Sequence, residues 1–316
     1  MPKGNAEMNL QHLKYMVEVE KVGSITKSAA NLFMGQPNLS KAIKEVENEI
    51  GITVFKRSAK GVFPTEKGAE FLEYAKTILV QMEKIEGLYK PELTDTIRFG
   101  ISVPRATYIT HAFTSFINEL DPAKRISIDF RETNSMDAIS NVCDSTSNLS
   151  VIRYNMDNEE YFMSLLSEKN LRHELILKFN YRLILSADNP LAKSDDISES
   201  ELSEYIEIIH GDYEIPYISS GYMRKNDSGA VHRRIYVYER GSQFDLLTDV
   251  DNTFMWVSPM PEDTLKRFNL VQKKCRESIK QYADILIYPS SYRISEYDEA
   301  FINKLYKMRD QVAAAL

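Results

Sequence analysis

Amide, hydroxyl and ammonium side chains gather in one short segment near the N-terminus. They are Gln36, Asn38, Ser40, Lys41 and Lys44. Side-chain amides and hydroxyls form hydrogen bonds with base edges in the major groove, and ammonium groups bind guanine or phosphate. The residue types therefore predict contact with double-stranded nucleic acid, provided that one element presents them together.

The segment 37–50 has the periodicity of such an element. Its apolar residues are spaced 4, 3 and 4 apart, which puts them on one stripe of a helix at about 100° per residue. They are Leu39, Ile43, Val46 and Ile50. Pro37, Lys41, Lys44 and Asn48 share this spacing and fall on the opposite face. The pattern predicts a helix with one face for a protein core and the other for a polyanion, beginning at a proline and ending at Gly51.

Two further helices are predicted before this one. Apolar residues recur at helical spacing over 10–22, Gly23 stops that run, and Ser24 is a good N-cap for a short helix over 24–32. A tight turn at 33–35 then leads into the third helix. A single amphipathic helix is more often a solvated surface, but three helices in this order are typical of a helix-turn-helix whose third helix enters the major groove.

A hairpin is predicted next, with strands at 54–57 and 61–63 joined by a polar turn. Such a wing can place Lys56, Arg57 and Lys60 against the phosphate backbone. Contacts of this kind position a protein on DNA and make its affinity depend on salt.

The total charge of −7 does not argue against this interpretation, because the location of the charges matters more than their sum. Residues 1–93 carry 13 basic and 12 acidic side chains, whereas the other 223 carry 26 and 34. Within 21–67 there are eight basic and four acidic side chains. The composition is that of a globular protein, with 43% hydrophobic and 27% charged residues.

From Gly23 to Gly68 the sequence resembles the LysR-type transcriptional regulators. The resemblance rests on 23–32 (GSITKSAANL), Gln36–Lys41, Ile43, Lys44, Glu47, Gly51, Phe55, Arg57 and 64–68 (PTEKG). It implies a DNA interface made by Ser24, Thr26, Lys27, Gln36, Pro37, Asn38, Ser40, Lys41, Lys44, Lys56, Arg57, Lys60 and Thr65. Two positions depart from the family pattern. Gly35 replaces the usual Ser or Thr, and Asn38 replaces the usual Ala and is a candidate for an additional base contact.

A long helix is predicted from Glu66 to the hinge at Lys90-Pro91, with an apolar heptad seam. The seam consists of Phe71, Ala75, Ile78, Met82, Ile85 and Tyr89. The stripe could pack on its own domain, but a helix of roughly 24 residues is about 36 Å long and exceeds what a small winged helix covers. We therefore predict a homodimer or homotetramer, which matches paired half-sites on DNA.

Strand-like and helix-like runs alternate after residue 94, which predicts an α/β fold. The resemblance implies a multi-domain chain: a mainly helical winged helix-turn-helix over 1–65, a dimerisation helix and hinge over 66–93, and an effector domain over 94–316. That domain would hold two Rossmann-like subdomains, as in periplasmic solute-binding proteins. We place the first at 94–164 with 270–316 and the second at 165–269. The family motifs are weaker here, at 183–185, 189–192 and 256–259.

Ligands of such folds bind in the crevice beyond the carboxyl ends of the strands. The candidates there are Ser102, Thr133, Asn134, Ser135, Arg153, His210 and Ser258. A helix N-terminus at 133–135 together with Arg153 favours an anionic small-molecule effector. An equally compatible alternative is that Thr133 and Ser135 only cap the helix and that Arg153 forms a surface salt bridge. His210 and Ser258 fit a structural role better.

An enzyme is the main rival interpretation. The sequence contains no glycine-rich phosphate loop, no nucleophile elbow and no metal-binding spacing of His or Cys, so we predict neither catalysis nor a metal cofactor. A secreted solute-binding protein would explain the second half only, and 1–8 lacks an apolar signal core.

We expect a cytoplasmic, bacterial, membrane-free regulator that works with RNA polymerase. Cys143 and Cys275 are predicted to be buried thiols. A DNA-binding regulator that needs no effector is the alternative function.

Overall fold

A computed structural model describes residues 9–58, 61–89, 96–194, 197–211, 231–238 and 240–314. The chain divides into an N-terminal unit, Met1–Asp95, and a C-terminal unit that begins at Thr96, with Asp144–Thr146 grouped with the first unit. Of the predicted site residues, Lys60 and the side chain of Tyr89 lie outside what the structure describes.

The N-terminal unit has four helices and one hairpin in its described residues. These are α1 (Leu10–Val22), α2 (Ile25–Asn31), α3 (Gln36–Ile50), β1 (Phe55–Ser58), β2 (Gly61–Pro64) and α4 (Glu66–Tyr89). The strands pair antiparallel, from Phe55 opposite Pro64 to Ser58 opposite Gly61. The predicted order of three helices, wing and long helix is confirmed.

One small core holds this unit together. The predicted stripe of α3 faces it, with Leu39, Ile43 and Val46 buried against α1, α2 and the wing. Burying one such side chain contributes about 1.5–3 kcal/mol. Because one face of α3 packs in the core, only the opposite face can contact other molecules.

Two glycines allow backbone segments of this unit to touch. A Cβ on Gly61, where φ is +124°, would lie 2.8 Å from the carbonyl oxygen of Gly23, and the neighbouring Val62 amide donates to that oxygen at 2.9 Å. A Cβ on Gly68 would lie 2.1 Å from the Val54 carbonyl oxygen. Only glycine fits at these contacts, which fasten the wing to the α1–α2 turn and α4 to the start of the wing.

The C-terminal unit contains two five-stranded sheets. The elements of the first are β3 (Thr96–Val103), α5 (Thr107–Ile117), β4 (Arg125–Glu132), α6 (Ser135–Cys143), β5 (Leu149–Asn155), α7 (Glu159–Glu168) and β6 (Leu171–Asn180). The strand order is β4, β3, β5, β12 and β6, where β12 (Gln281–Pro289) returns antiparallel between β5 and β6. Helix α10 (Glu296–Ala314) packs on α5, and their aromatic residues Phe116 and Phe301 meet in the core.

The second sheet is built from the segment between β6 and β12. Its elements are β7 (Arg182–Ser186), β8 (Ile206–His210), β9 (Arg233–Val237), α8 (Gly241–Asp249), β10 (Thr253–Val257), α9 (Glu262–Arg267) and β11 (Leu270–Lys273). The strand order is β11, β7, β10, β8 and β9, with the last three parallel. Two α/β subdomains are thus confirmed.

The predicted boundaries between the subdomains are wrong. We expected the chain to cross at 165 and to return at 270, but β6 pairs with β12 in the first sheet and β11 pairs with β7 in the second. The crossings therefore fall between β6 and β7 and between β11 and β12. The pairing of β6 with β12 and of β11 with β7 decides which sheet each segment joins.

Candidate nucleic-acid interface

Helix α3 presents an exposed polar face, as predicted. The exposed residues on it are Gln36, Pro37, Asn38, Lys41, Lys44 and Asn48. Lys41 has 78% of its side chain exposed, and its 3.7 Å pair with Glu45 lies on the surface, where it contributes little and leaves the ammonium group available. A row of amide and ammonium groups at the N-terminal end of a helix suits entry into the major groove.

Two polar side chains at the start of α3, Gln36 and Ser40, are held by a hydrogen bond to each other. The Gln36 amide donates to the Ser40 hydroxyl at 2.9 Å, one helical turn away, and Ser40 is half-buried. Gly35 precedes the helix with extended backbone and provides no side-chain cap, whereas Asn38 is exposed. Of this group, Gln36 and Asn38 are therefore better placed to reach a base than Ser40.

The wing adds a second exposed basic group. Phe55 is buried, whereas Lys56, Arg57 and Ser58 in the same strand are exposed. Lys56 and Arg57 thus lie on the outer surface of the unit, where guanidinium and ammonium groups can bind phosphate.

The remaining predicted contacts divide into two kinds. Thr26 and Lys27 are exposed on α2. Ser24 caps α2, where its hydroxyl accepts from the Lys27 amide at 3.4 Å. Thr65 is also a cap, because its hydroxyl donates to the Thr53 carbonyl at 2.6 Å and accepts from the Gly68 amide at 2.9 Å. We therefore leave Thr65 out of the interface, since its hydroxyl already has partners within the unit.

An exposed aromatic residue in the α2–α3 turn was not predicted. Phe33 is 98% exposed and has a φ of 53°, whereas its neighbours Leu32 and Met34 pack on the core. A bulky residue in the left-handed region is strained. Sequence periodicity does not report such a residue, because a turn has no repeating face.

The predicted effector residues of the first subdomain are bonded within the protein. Arg153 forms a buried two-pronged pair with Asp284, with both N–O distances at 2.7 Å, and Asp284 also accepts from the Tyr108 hydroxyl at 2.6 Å. Burial alone would lower the pKa of the Arg153 guanidinium, but the Asp284 carboxylate raises it above its usual value. Burial and then the charge of Asp284 raise the pKa of Tyr108 well above its usual value. The expectation that Arg153 is an open anion partner is wrong, because its charge is already neutralised.

The hydroxyl and amide candidates nearby serve α6 and its surroundings. Asn134 accepts from the Asp137 amide at 2.9 Å, and the Asp137 carboxylate in turn accepts from Thr133 and Asn134. Ser135 donates to the Arg153 carbonyl at 2.6 Å. The capping alternative therefore describes this segment better than an anion site does.

The other candidates are distributed along the strand ends. Ser102 is buried and accepts from Asn141 at 2.9 Å. Ser258 is buried just after β10, and His210 is half-buried at the end of β8. Since β8 and β10 are parallel neighbours, these two residues lie at the same edge of the second sheet.

A bridge between the two subdomains was missed. Arg240, just after β9, donates to the hydroxyls of Thr107 at 2.8 Å and Thr110 at 2.7 Å and pairs with Glu132 at the end of β4. Its side chain is only 18% exposed. Its partners lie 108 to 133 residues away in the sequence, so no local pattern identifies this bridge.

Comparison with known proteins agrees with the N-terminal geometry. Residues 10–69 match the family described as bacterial regulatory helix-turn-helix protein, lysR family. The nitrogen assimilation regulatory protein nac of Klebsiella aerogenes is 36% identical over 96 residues, which are 30% of this chain and 31% of that protein. The N-terminal unit is therefore similar to the helix-turn-helix part of lysR-family regulators over residues 10–69.

A similarity of fold extends over the whole chain. The crystal structure of CbnR, a LysR family transcriptional regulator, has a TM-score of 0.61 at 11% identity over 96% of this chain and 99% of CbnR. Full-length CbnR complexed with its target DNA has a TM-score of 0.60 at 12% identity over 95% and 100% of the two chains. At such low identity these matches show the fold alone. The multi-domain fold predicted from the sequence is confirmed.

The burial along helix α4 differs in part from the predicted seam. Of the first part of the seam, Ala75 is buried and Phe71 is half-buried against the core of the unit, where Leu72 is buried as well. The second part is open, with Ile78 44% and Ile85 51% exposed. Met82 is half-buried between them, and Tyr74 adds an exposed ring.

Two further findings concern membranes and thiols. Among the described helices, none is long and apolar enough to cross a bilayer. Cys275 is buried, and burial raises the pKa of its thiol to about 11. Cys143 is exposed, so its predicted burial is wrong: it lies at the end of α6, beyond the residues that face the core.

Proposed function

We propose that this chain is a sequence-specific, double-stranded-DNA-binding transcription regulator. The observation that carries the proposal is the exposed face of α3, whose amide and ammonium groups lie opposite a fully packed core face within a LysR-type helix-turn-helix. In this function α3 reads base edges through Gln36 and Asn38, Lys41 binds guanine or phosphate, and Lys56 and Arg57 hold phosphates.

The proposed assembly is a homodimer or a homotetramer. The open half of the α4 seam, with Ile78 and Ile85, supports pairing of two chains, and two chains present two recognition helices to two half-sites. We place this assembly in the cytoplasm, where it would bind near a promoter and contact RNA polymerase.

We further propose that a small-molecule effector modulates the regulator through the C-terminal unit. Support comes from the two α/β subdomains with their parallel strand ends. A ligand there changes DNA binding only if it binds two arrangements of the protein with different affinity. Because Arg153 and Arg240 are both already paired with carboxylates, an anionic effector would need another cation.

The alternative function is a regulator that needs no effector. The internal bonding of Thr133, Asn134, Ser135 and Arg153 favours it. Adding the small-molecule fraction of host cells to a purified complex of protein and operator separates the two. A change in affinity or in DNA bending supports the effector, whereas no change over the whole fraction supports the alternative.

The main test is selection of genomic fragments by the purified chain at two salt concentrations. We expect a palindromic site whose affinity falls steeply with salt. A variant with Lys41, Lys44, Lys56 and Arg57 all changed to Gln is the control and should recover no site. Equal recovery by both proteins, or recovery of no site by the unaltered chain with and without the small-molecule fraction, would contradict the proposal.

A further inference from the structure

The connection between α3 and the wing contains an acid whose position is unusual. Glu47 lies in the last turn of α3, where the helix dipole disfavours a negative charge, and on a helix proposed to approach phosphates. Neither helix stability nor attraction to DNA explains a carboxylate there. Another role is therefore required.

The contacts of Glu47 indicate that role. Its carboxylate accepts from the amide of Val54 at 2.7 Å and from the amide of Phe55 at 3.1 Å, both through Oε1. Its own carbonyl accepts from the Gly51 amide at 3.0 Å, which closes the helix. One residue thus holds both ends of the short connection from recognition helix to wing.

The opposite side of the same segment is also fixed. The Thr65 amide donates to the Val54 carbonyl at 2.8 Å, and Val54 is fully buried. The exposed Lys56 follows directly after Phe55, and Arg57 follows Lys56. The position of these two cations relative to α3 therefore depends on where Glu47 holds the strand.

We infer that Glu47 is a positioning residue, which sets the distance between the base-reading face of α3 and the phosphate-binding wing. The inference rests on the proposed DNA-binding function. It predicts that removing the carboxylate disengages the wing cations from DNA and leaves the base preference of α3 intact.

The experiment measures operator affinity against salt concentration for Glu47→Ala, with Lys56→Gln/Arg57→Gln as the reference for a lost wing. Two lost phosphate contacts lower the slope of log affinity against log salt by about 1.8. We expect Glu47→Ala to approach that slope with at least a tenfold loss of affinity, and to add nothing further when combined with the wing changes. Base preference, measured by selection, should stay the same.

Two variants of nearly the same shape guard against a simple folding defect. Glu47→Gln keeps an oxygen that can accept both amides and should retain most of the slope. Glu47→Asp keeps the charge but shortens the side chain by one methylene, and should lose slope while circular dichroism shows a folded unit. Glu49→Ala removes an exposed acid from the same helix and should not lower the slope.

The outcomes separate this inference from the function on which it rests. An unaltered slope in both Glu47→Ala and Glu47→Asp, with the unaltered protein binding its operator, overturns the positioning role alone. A loss of base preference in Glu47→Ala overturns it as well, since α3 itself would then have moved. Absence of binding by the unaltered chain instead contradicts the proposed function.

Discussion

The side chains predicted to bind a partner have different surroundings in the two units. In the N-terminal unit the side chains predicted to bind a partner, such as Lys41, Lys44 and Arg57, are exposed with little structural duty. In the C-terminal unit the side chains predicted to bind a ligand, such as Arg153 and Ser135, are bonded to the protein itself.

The difference has a physical cause. On a helix, apolar periodicity identifies the core face, so the polar residues on the opposite face must point outwards. At a strand end, a hydroxyl or a guanidinium is equally suited to cap a helix or to pair with a buried acid. Residue type alone therefore predicts an interface in the first case and only a polar cluster in the second.

The largest effect should come from Asp284→Asn in the C-terminal unit. Removing this carboxylate leaves the Arg153 charge buried without its ion-pair partner, which should lower the free energy of unfolding by about 3–5 kcal/mol. Calorimetry should show the loss in the transition of the C-terminal unit, with operator affinity at low temperature unchanged. Arg153→Met/Asp284→Leu is the matched control and should recover much of the loss. A stable Asp284→Asn protein would show that Arg153 does not need the Asp284 carboxylate, and would make Arg153 a candidate for binding a ligand again.

In helix α4 the apolar periodicity does not distinguish residues of the domain core from residues of a subunit interface. A substitution in its exposed half tests which of the two it is. Ile78→Asp places a charge on the open half of α4 and should convert the oligomer to monomers with weak operator binding. Light scattering at micromolar concentration measures this. Glu73→Gln, an exposed change one turn earlier, should keep the oligomer. A dimeric Ile78→Asp protein would show that the surface lies elsewhere.

The recognition helix provides the matching test in the N-terminal unit. Lys41→Ala should weaken operator binding about tenfold and lower the salt slope by about 0.9, the value for one phosphate. A relaxed preference at one base pair instead would assign Lys41 to a base. Thermal stability should hardly change, because the Lys41–Glu45 pair is exposed. Unchanged affinity would remove Lys41 from the interface.

The smallest expected effect is a gain in stability. Phe33→Asn replaces a ring that buries almost nothing with a residue that tolerates a positive φ, and should stabilise the N-terminal unit by about 1 kcal/mol. Denaturant unfolding followed by circular dichroism measures this, with Phe33→Ala as the comparison that keeps most of the strain. A loss of stability would mean that the ring packs on the unit after all.

The sequence was sufficient for the N-terminal elements because each has a strong local signal. The apolar stripe of α3 lies within that helix, and the cap at Ser24 and the glycines at 23 and 51 fall at helix boundaries. In the C-terminal unit β6 has a weak strand signal, because 172–175 at its start are all exposed and a bulge against β12 interrupts its register. We therefore assigned this segment to the second subdomain, which misplaced the boundary.

The effector residues were less predictable because their partners are distant in sequence. Arg153 and Asp284 are 131 residues apart, and Arg240 and Glu132 are 108 apart. No local pattern connects such pairs. Only the sheet order, which brings β12 beside β5, decides that Arg153 meets a carboxylate and not solvent.

The close contact at Gly68 has a mechanical consequence. Helix α4 and the start of the wing touch backbone to backbone at Val54, with no flexible side chain between them to absorb displacement. A roll of α4 about its axis therefore pushes directly on Val54, whose amide Glu47 ties to α3. A rotation of α4 therefore reaches the recognition helix by two routes, through Val54 and the Glu47 carboxylate and through the packing of Leu72 in the core that α3 shares.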